Sequence, residues 1–329
     1  MARVLSGIAP SGDAHLGNLL GALVHWVADQ NPSAFYCVVD LHALTAPQDP
    51  AELRRLTAET ATMLLAVGLD PATCTLFVQS HVHEHTELAW LMECTASFGE
   101  LRRMTQFKDK SDQADFVSGG LFTYPALMAA DILLYRTEEV PVGADQRQHV
   151  ELTRDLAVRF NRRYGDTFVL PEATMPKVGA RIMDLQEPSK KMSKSDDTAP
   201  GTILLLDDLT TIDRKVRRAV TDTEAEVRFD PVTKPGVSNL LSILAACTDR
   251  TPESVAPGYS QYGPLKADTA AAVVERIAPI QERYRALAAD PAETNRMLAV
   301  GAAKAQEVAM GTLARAKNAI GLLPRGGGR

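Results

Sequence analysis

"RVLSGIAPSGDAHLGNLLGALVHWVAD", residues 3–29, decides the fold. It opens on a β-rich run (3–8), passes through a proline- and glycine-bearing loop, and continues as a helical pattern (15–29). Two further β-rich runs, "AFYCVVD" (34–40) and "TLFVQS" (75–80), flank a second helical pattern at 50–68. This alternation predicts a βαβαβ unit of the α/β class, with parallel strands buried on both faces. Such units bind ligands beyond the carboxyl ends of the strands, so the loop at 9–14 lies on the functional edge.

The chain has 329 residues, 45% of them hydrophobic, enough for a large core and two domains. Its start carries too short an apolar run for a signal peptide, and no stretch reaches about 18 uncharged apolar residues, so a cytoplasmic protein with no membrane association is expected. Cys37, Cys74, Cys94 and Cys247 lack a CxxC spacing and are expected mostly as small buried hydrophobes. A net charge of -6 excludes indiscriminate coating of nucleic acid. Local basic segments at 102–110 and 214–218 still permit a nucleic-acid partner, although such runs are ordinarily solvated helix faces.

From about 84 to 165 the pattern is mostly helical and is read as an insertion between two halves of the sheet. "KVGARIMDL" (177–185) is read as a strand, followed by a lysine-serine loop at 189–201, and helix formers dominate the remainder. The domain organisation expected is a catalytic domain over 1–190, a mobile loop at 191–201, and a helical region over 202–329 whose last helix packs back on the first domain.

Four features carry chemistry. Gly7, Gly12 and Gly17 let backbone approach a flat or anionic ligand, and amides at a helix start favour phosphate. His15 and Asn18, three apart, share a helical face; a plain strand-to-helix turn capped by Asn18 is the other open reading. "KKMSKS" (190–195) brings Lys190, Lys191 and Lys194 together with Ser193 and Ser195, cations and hydroxyls suited to a polyphosphate leaving group. Asp131, the one charge within "LMAADILLY", needs a partner if buried, Arg136 or Arg147 in the bland case. The cluster "HVHEH" (81–85) could present His81, His83 and His85 to zinc, but no companion ligand is suitably spaced, and a surface loop is expected.

The pairing of HLGN (15–18) with KMSKS (191–195) resembles the signatures of class I aminoacyl-tRNA synthetases. The blocks at 6–12, 99–111, 121–135, 140–157 and 176–185, with "AVTDTEAEVRFD" (219–230) and "GVSNLL" (236–241), resemble the bacterial tryptophanyl-tRNA synthetase family over essentially the whole chain. The resemblance implies a Rossmann-like parallel-sheet catalytic domain with a helical insertion and a helical C-terminal domain that reads the tRNA anticodon. It implies ATP-dependent activation of L-tryptophan and its transfer to tRNA(Trp), with Mg²⁺ carried on the ATP phosphates and a homodimeric assembly.

By the same resemblance, Asp131 accepts the indole N–H, and Leu5, His42, Tyr124, Met128, Val140, Val142 and Gln146 complete the tryptophan pocket. Ala9, Pro10, Ser11, Gly17, Asn18, Gly143, Ala144, Asp145, Ile182, Lys191, Met192, Ser193, Lys194 and Ser195 meet ATP. His15, Asn18, Lys110, Lys191 and Lys194 serve the transition state. Arg154, Arg159, Arg162, Arg163, Arg217 and Arg218 are candidate tRNA phosphate contacts. Ala9 departs from the family, whose members commonly carry a glutamine there. A tyrosyl-tRNA synthetase and a non-catalytic relative that kept the fold are the alternatives.

Overall fold

A computed structural model describes residues 2–111, 116–143, 146–174, 181–193 and 200–324, with the side chains of 109–111 left aside. Five parallel strands form one sheet in the order β3-β2-β1-β4-β5: β1 Val4–Ile8, β2 Ala34–Val38, β3 Thr75–Val78, β4 Glu139–Pro141 and β5 Glu172–Thr174. In register, Val4 faces Ala34 on one side and Glu139 on the other. β2 and β3 are buried at every position, as parallel strands covered on both faces must be.

The first helix, α1, is a continuous run made of Leu16–Asn18, a π turn at Leu19–Leu23, and Val24–Asp29. Leu16, Leu19, Leu20 and Leu23 bury its inner face. α2 (Pro50–Val67) connects β2 to β3; Asp49 caps its start by accepting from the amides of Ala51 and Glu52, and Gly68 ends it in a left-handed conformation.

The stretch expected as a helical insertion is divided by β4. α3 (Glu84–Thr95), α4 (Phe98–Arg102), α5 (Thr105–Ser111) and α6 (Gly119–Leu134) precede the strand, whereas α7 (Arg147–Tyr164) is the crossover from β4 to β5. Residues 84–134 are thus the inserted part, and 147–164 belong to the parallel sheet. The expected strand at 177–185 also differs: residues 175–180 lie outside those described, and within 181–185 there is an isolated antiparallel bridge from Met183 to Lys191.

Beyond residue 200 the fold is helical: α8 (Leu209–Arg217), α9 (Pro235–Cys247), α10 (Tyr262–Ala289) and α11 (Pro291–Ala319). α11 packs against β3 and α3. A Cβ built on Gly301 would stand 1.8 Å from the Leu76 carbonyl oxygen, so only glycine permits this approach. Ala302, Ala305, Ala309 and Ala316 continue the contact, and Lys304 Nζ donates to the Pro71 carbonyl at 2.9 Å. Cys37 and Cys74 are buried; Cys247 is half-buried and Cys94 exposed, so burial holds for two of the four.

Candidate active site

α6 carries one wall of a cavity where the residues expected to hold tryptophan meet. Its spacing of four, three and four puts Tyr124, Met128, Asp131 and Tyr135 along one face. Ser118 caps the helix, accepting from the Leu121 amide at 3.0 Å and donating to the Thr45 carbonyl, which ties α6 to the chain after β2. Leu5 arrives on β1, Val140 and Val142 on and after β4, and Gln146 at the start of α7. These side chains, with His42, enclose a mainly apolar cavity of about 480 Å³. All eight residues expected to hold tryptophan line it, along with Ser6 and Gly7 of β1 and Ala9 of the first loop.

Asp131 is 5% exposed, and its partners are not the arginines considered from sequence. Arg147 pairs with Glu151 instead. Gln79 Nε2 donates to Asp131 Oδ1 at 2.7 Å, His85 Nδ1 lies 2.6 Å from the same oxygen, and His42 Nε2 lies 2.7 Å from Oδ2. Burial by itself would raise the carboxyl; the charge and hydrogen bond of His42, followed by the hydrogen bond from His85, override it and hold Asp131 well below the usual carboxylate range. A carboxylate offers about four acceptor sites. Three are filled by described residues, and Asp131 itself lines the cavity.

The expectation of a surface loop for the histidine cluster therefore fails at one residue. His81 and His83 are exposed, but His85 is fully buried in the first turn of α3. It shares the inward face with Leu88, Ala89 and Met92, and that apolar spacing is the sequence signal that marks it as a core residue. Gln79, at the end of β3, was likewise not singled out. Among the described residues no group of His, Cys, Asp or Glu is arranged to hold a metal ion.

Tyr124 closes another side. Its hydroxyl lies 2.7 Å from His149 Nε2 on α7, burial pushes the phenol up to about 12, and its ring meets His42 edge-on at 6.3 Å.

The segment from the loop after β1 into α1, expected to meet ATP, is held together largely by backbone. His15 is the N-cap residue of α1 with extended dihedrals, and Asn18 Oδ1 accepts from its amide at 3.1 Å. The two thus meet as cap and third residue rather than on a shared helical face, and the His15 side chain is 4% exposed. Gly17 sits under that imidazole: a Cβ there would approach His15 Nδ1 to 2.9 Å and Met192 Cβ to 3.7 Å.

The second signature is tied by main-chain hydrogen bonds on both flanks, and the bonds on its far flank reach the first signature. On one side the Met192 amide donates to Ile182 O at 3.1 Å; on the other, the Leu16 amide donates to Ile203 O at 2.9 Å and the Leu205 amide to Ala14 O at 2.8 Å. Ile182 and Met192 are each 1% exposed, so their side chains belong to the core. Lys191 is exposed and forms no ion pair among the described residues, whereas Lys190 pairs with Glu187 at 2.5 Å. Pro10, Ser11 and Gly143 are described at the loop ends, with the Ser11 amide donating to Ala9 O. Ala144, Asp145, Lys194, Ser195 and the Lys110 side chain lie outside the described residues.

Of the arginines considered for phosphate contact, Arg159 is held by Glu100 and the Thr95 carbonyl, Arg154 by the Pro171 carbonyl and Arg217 by Asp213. Arg162 and Arg163 line an open groove on α7 beside Val158. Arg218 lies at the end of α8. In the neighbouring basic run, Lys215 departs from the expected solvated face: it is tucked in, donating to Asp207 and the Thr202 carbonyl at 2.7 Å each.

Comparison with known proteins bears directly on this geometry. The model of the family "tRNA synthetases class I (W and Y)" matches residues 1–276. "Tryptophan--tRNA ligase 1" of Streptomyces coelicolor is 56% identical over 98% of this chain and 98% of its own. Among solved structures, a tryptophanyl-tRNA synthetase from Mycoplasma pneumoniae superposes with a TM-score of 0.87 at 38% identity, covering 98% of each chain. One from Campylobacter jejuni, complexed with ADP and tryptophan, superposes at 0.84 with 34% identity, covering 97% of this chain and all of the other. With strand order, cavity and paired signatures in agreement, this chain belongs to the class I tRNA synthetases for tryptophan and tyrosine, on their tryptophanyl branch.

Proposed function

We infer that this protein is a tryptophan–tRNA ligase, which joins L-tryptophan to ATP as an adenylate and passes it to the 3′ end of tRNA(Trp). The observation that carries the choice of amino acid is the unfilled acceptor site of Asp131 on the wall of an apolar cavity. An indole N–H can donate to it, whereas phenylalanine would leave a buried anion short of a partner, the kind of mismatch that gives strong rejection. The 56% identical relative, matched over nearly its full length, favours this reading over the tyrosyl alternative.

In the first step the tryptophan carboxylate forms a bond to the α-phosphorus of ATP, and the bond to the β-phosphate breaks to release pyrophosphate. No side chain acts as a nucleophile, so catalysis rests on position and charge. The loop at Ala9–Ser11 and the backbone at Gly17 and Asn18 would cradle the nucleotide, with Gly143, Ala144 and Asp145 at its ribose and Ile182, Met192, Ser193 and Ser195 alongside. His15, Asn18, Lys110, Lys191 and Lys194 would stabilise the pentavalent phosphorus and the departing pyrophosphate. Mg²⁺ bound to the phosphate oxygens supplies further charge neutralisation. In the second step a ribose hydroxyl of the terminal adenosine attacks the activated carbonyl, forming the ester and releasing AMP.

Arg162 and Arg163 on α7, open to an approaching backbone phosphate, support a tRNA contact there. The exposed Trp90 (64%) and Phe98 (68%), on the inserted helices, support a homodimer that covers them. Nothing described is long and apolar enough to cross a membrane, and the reading is of a cytoplasmic enzyme. The deciding assay is tryptophan-dependent exchange of labelled pyrophosphate into ATP, run beside tyrosine. Exchange with tyrosine alone, or none from folded protein, overturns the assignment.

A further inference from the structure

Behind Asp131 runs a chain of polar groups, from His85 at the inner wall of the cavity to Tyr135, which is not among the lining residues. His85 is fully buried, with Nδ1 on Asp131 Oδ1 at 2.6 Å and Nε2 on the Tyr135 hydroxyl at 2.7 Å. Tyr135 is also fully buried, its ring stacked on Phe35 at 4.7 Å, and His85 stacks on Phe77 at 5.9 Å. Gln79 is oriented independently: its Oε1 accepts from the Leu41 amide at 3.1 Å, so its NH₂ points to Asp131.

The proton positions follow from these partners. Tyr135 O–H has the imidazole Nε2 as its acceptor, which leaves the ring proton on Nδ1, aimed at the carboxylate. Oδ1 then receives two N–H donors from the interior, and Oδ2 is left to His42 and the cavity.

We propose that the Tyr135–His85 pair is a specificity-determining relay: it fixes the imidazole tautomer that keeps Asp131 an acceptor-only anion, so that a bound side chain must bring an N–H. It rests on the reading above that Asp131 meets the indole. Both ring nitrogens of His85 are taken, one by Asp131 and one by Tyr135, so the pair acts through Asp131 and both are positioning residues. Without the phenol proton, the imidazole is free to carry its hydrogen on Nε2. Nδ1 then faces the carboxyl as a lone pair, and a proton taken up from solvent sits between them on Asp131. The neutral acid no longer demands a donor from the ligand.

Two amino acids of nearly equal shape test this: tryptophan and 3-benzothienylalanine, in which sulfur replaces the indole N–H. Pyrophosphate-exchange kcat/KM is measured for both with the full-length wild type, Tyr135→Phe and His85→Gln. Wild type is expected to favour tryptophan by about 100-fold or more. Tyr135→Phe, which keeps the ring and its stacking, should reduce that ratio about 10-fold with the KM for ATP unchanged, and His85→Gln should reduce it at least as far. A purely structural role would lower both substrates together, so an unchanged ratio in Tyr135→Phe overturns the relay even if His85→Gln fails to fold. A wild-type ratio near one overturns the Asp131 reading and the relay with it.

Discussion

The two halves of the site are built on opposite plans. Around Asp131 the polar contacts are made by side chains from three different elements: Gln79 from the end of β3, His85 from α3, His42 from the turn after β2. Around the nucleotide signatures the ties are main-chain hydrogen bonds, and the functional cation that is described, Lys191, stands exposed. A buried carboxylate whose remaining acceptor capacity faces an apolar cavity makes a missing donor costly, the condition for selectivity. On the reading proposed above, a backbone cradle with an exposed cation holds the triphosphate and spends its electrostatics on the departing charge.

Substitutions can break this contrast. Asp131→Asn keeps the volume but replaces an anion that takes N–H donors with an amide that competes for them. Tryptophan kcat/KM in pyrophosphate exchange should fall by about 1,000-fold or more, the largest effect expected. Normal tryptophan binding by this variant, measured by calorimetry, would place the pocket elsewhere. On the other side, Lys191→Ala should lower kcat by about 100-fold while the KM for tryptophan moves less than about 2-fold. A tryptophan KM that rises in step would mean the halves are not separate.

The helical region sharpens the comparison, because it supports the sheet without entering the site. Gly301→Ala forces a methyl against the Leu76 carbonyl and should destabilise the fold by about 2 kcal/mol, read by chemical denaturation, with substrate KM values unchanged. The smallest effect belongs to Arg159→Gln. Hydrogen bonding to Arg159 outweighs the opposing effect of partial burial and, with Ser97, brings the Glu100 carboxyl down to about 2 from its ordinary 4.5. A depressed carboxyl stabilises the fold above its unfolded value and loses that contribution as pH falls through the folded one. With Arg159 half-exposed, the variant should be about 1 kcal/mol less stable at pH 7, the gap closing between pH 4.5 and 2. A gap constant with pH would mean the pair contributes nothing electrostatic.

The long signals in the chain translated directly into structure. β1, β2, β3, α1 and α2 follow the periodicity of 3–80 closely, because a buried parallel strand must be a continuous apolar run. β4 and β5 were hidden: Glu139–Pro141 and Glu172–Thr174 are three residues each, carry exposed acids, and exist as strands through their pairing with β1 and with each other. The pocket was legible through the family resemblance, and the lone acid in an apolar helix marked Asp131 on physical grounds alone. Its real partners were not legible, since His85 lies 46 residues away and Gln79 52, distances no local pattern spans. His15 and Asn18 show the reverse case. The plain capping role is present, and it is the device that sets the loop against Gly17.

Lys304 reaches back 233 positions to the Pro71 carbonyl, and Gly301 presses on the strand beside it. During synthesis, the flank of β3 therefore stays bare until nearly the whole polypeptide has left the ribosome. The region that performs adenylate chemistry cannot finish assembling ahead of the segment that shields it, so a ribosome that stalls late yields a sticky, incomplete sheet instead of a working half-enzyme.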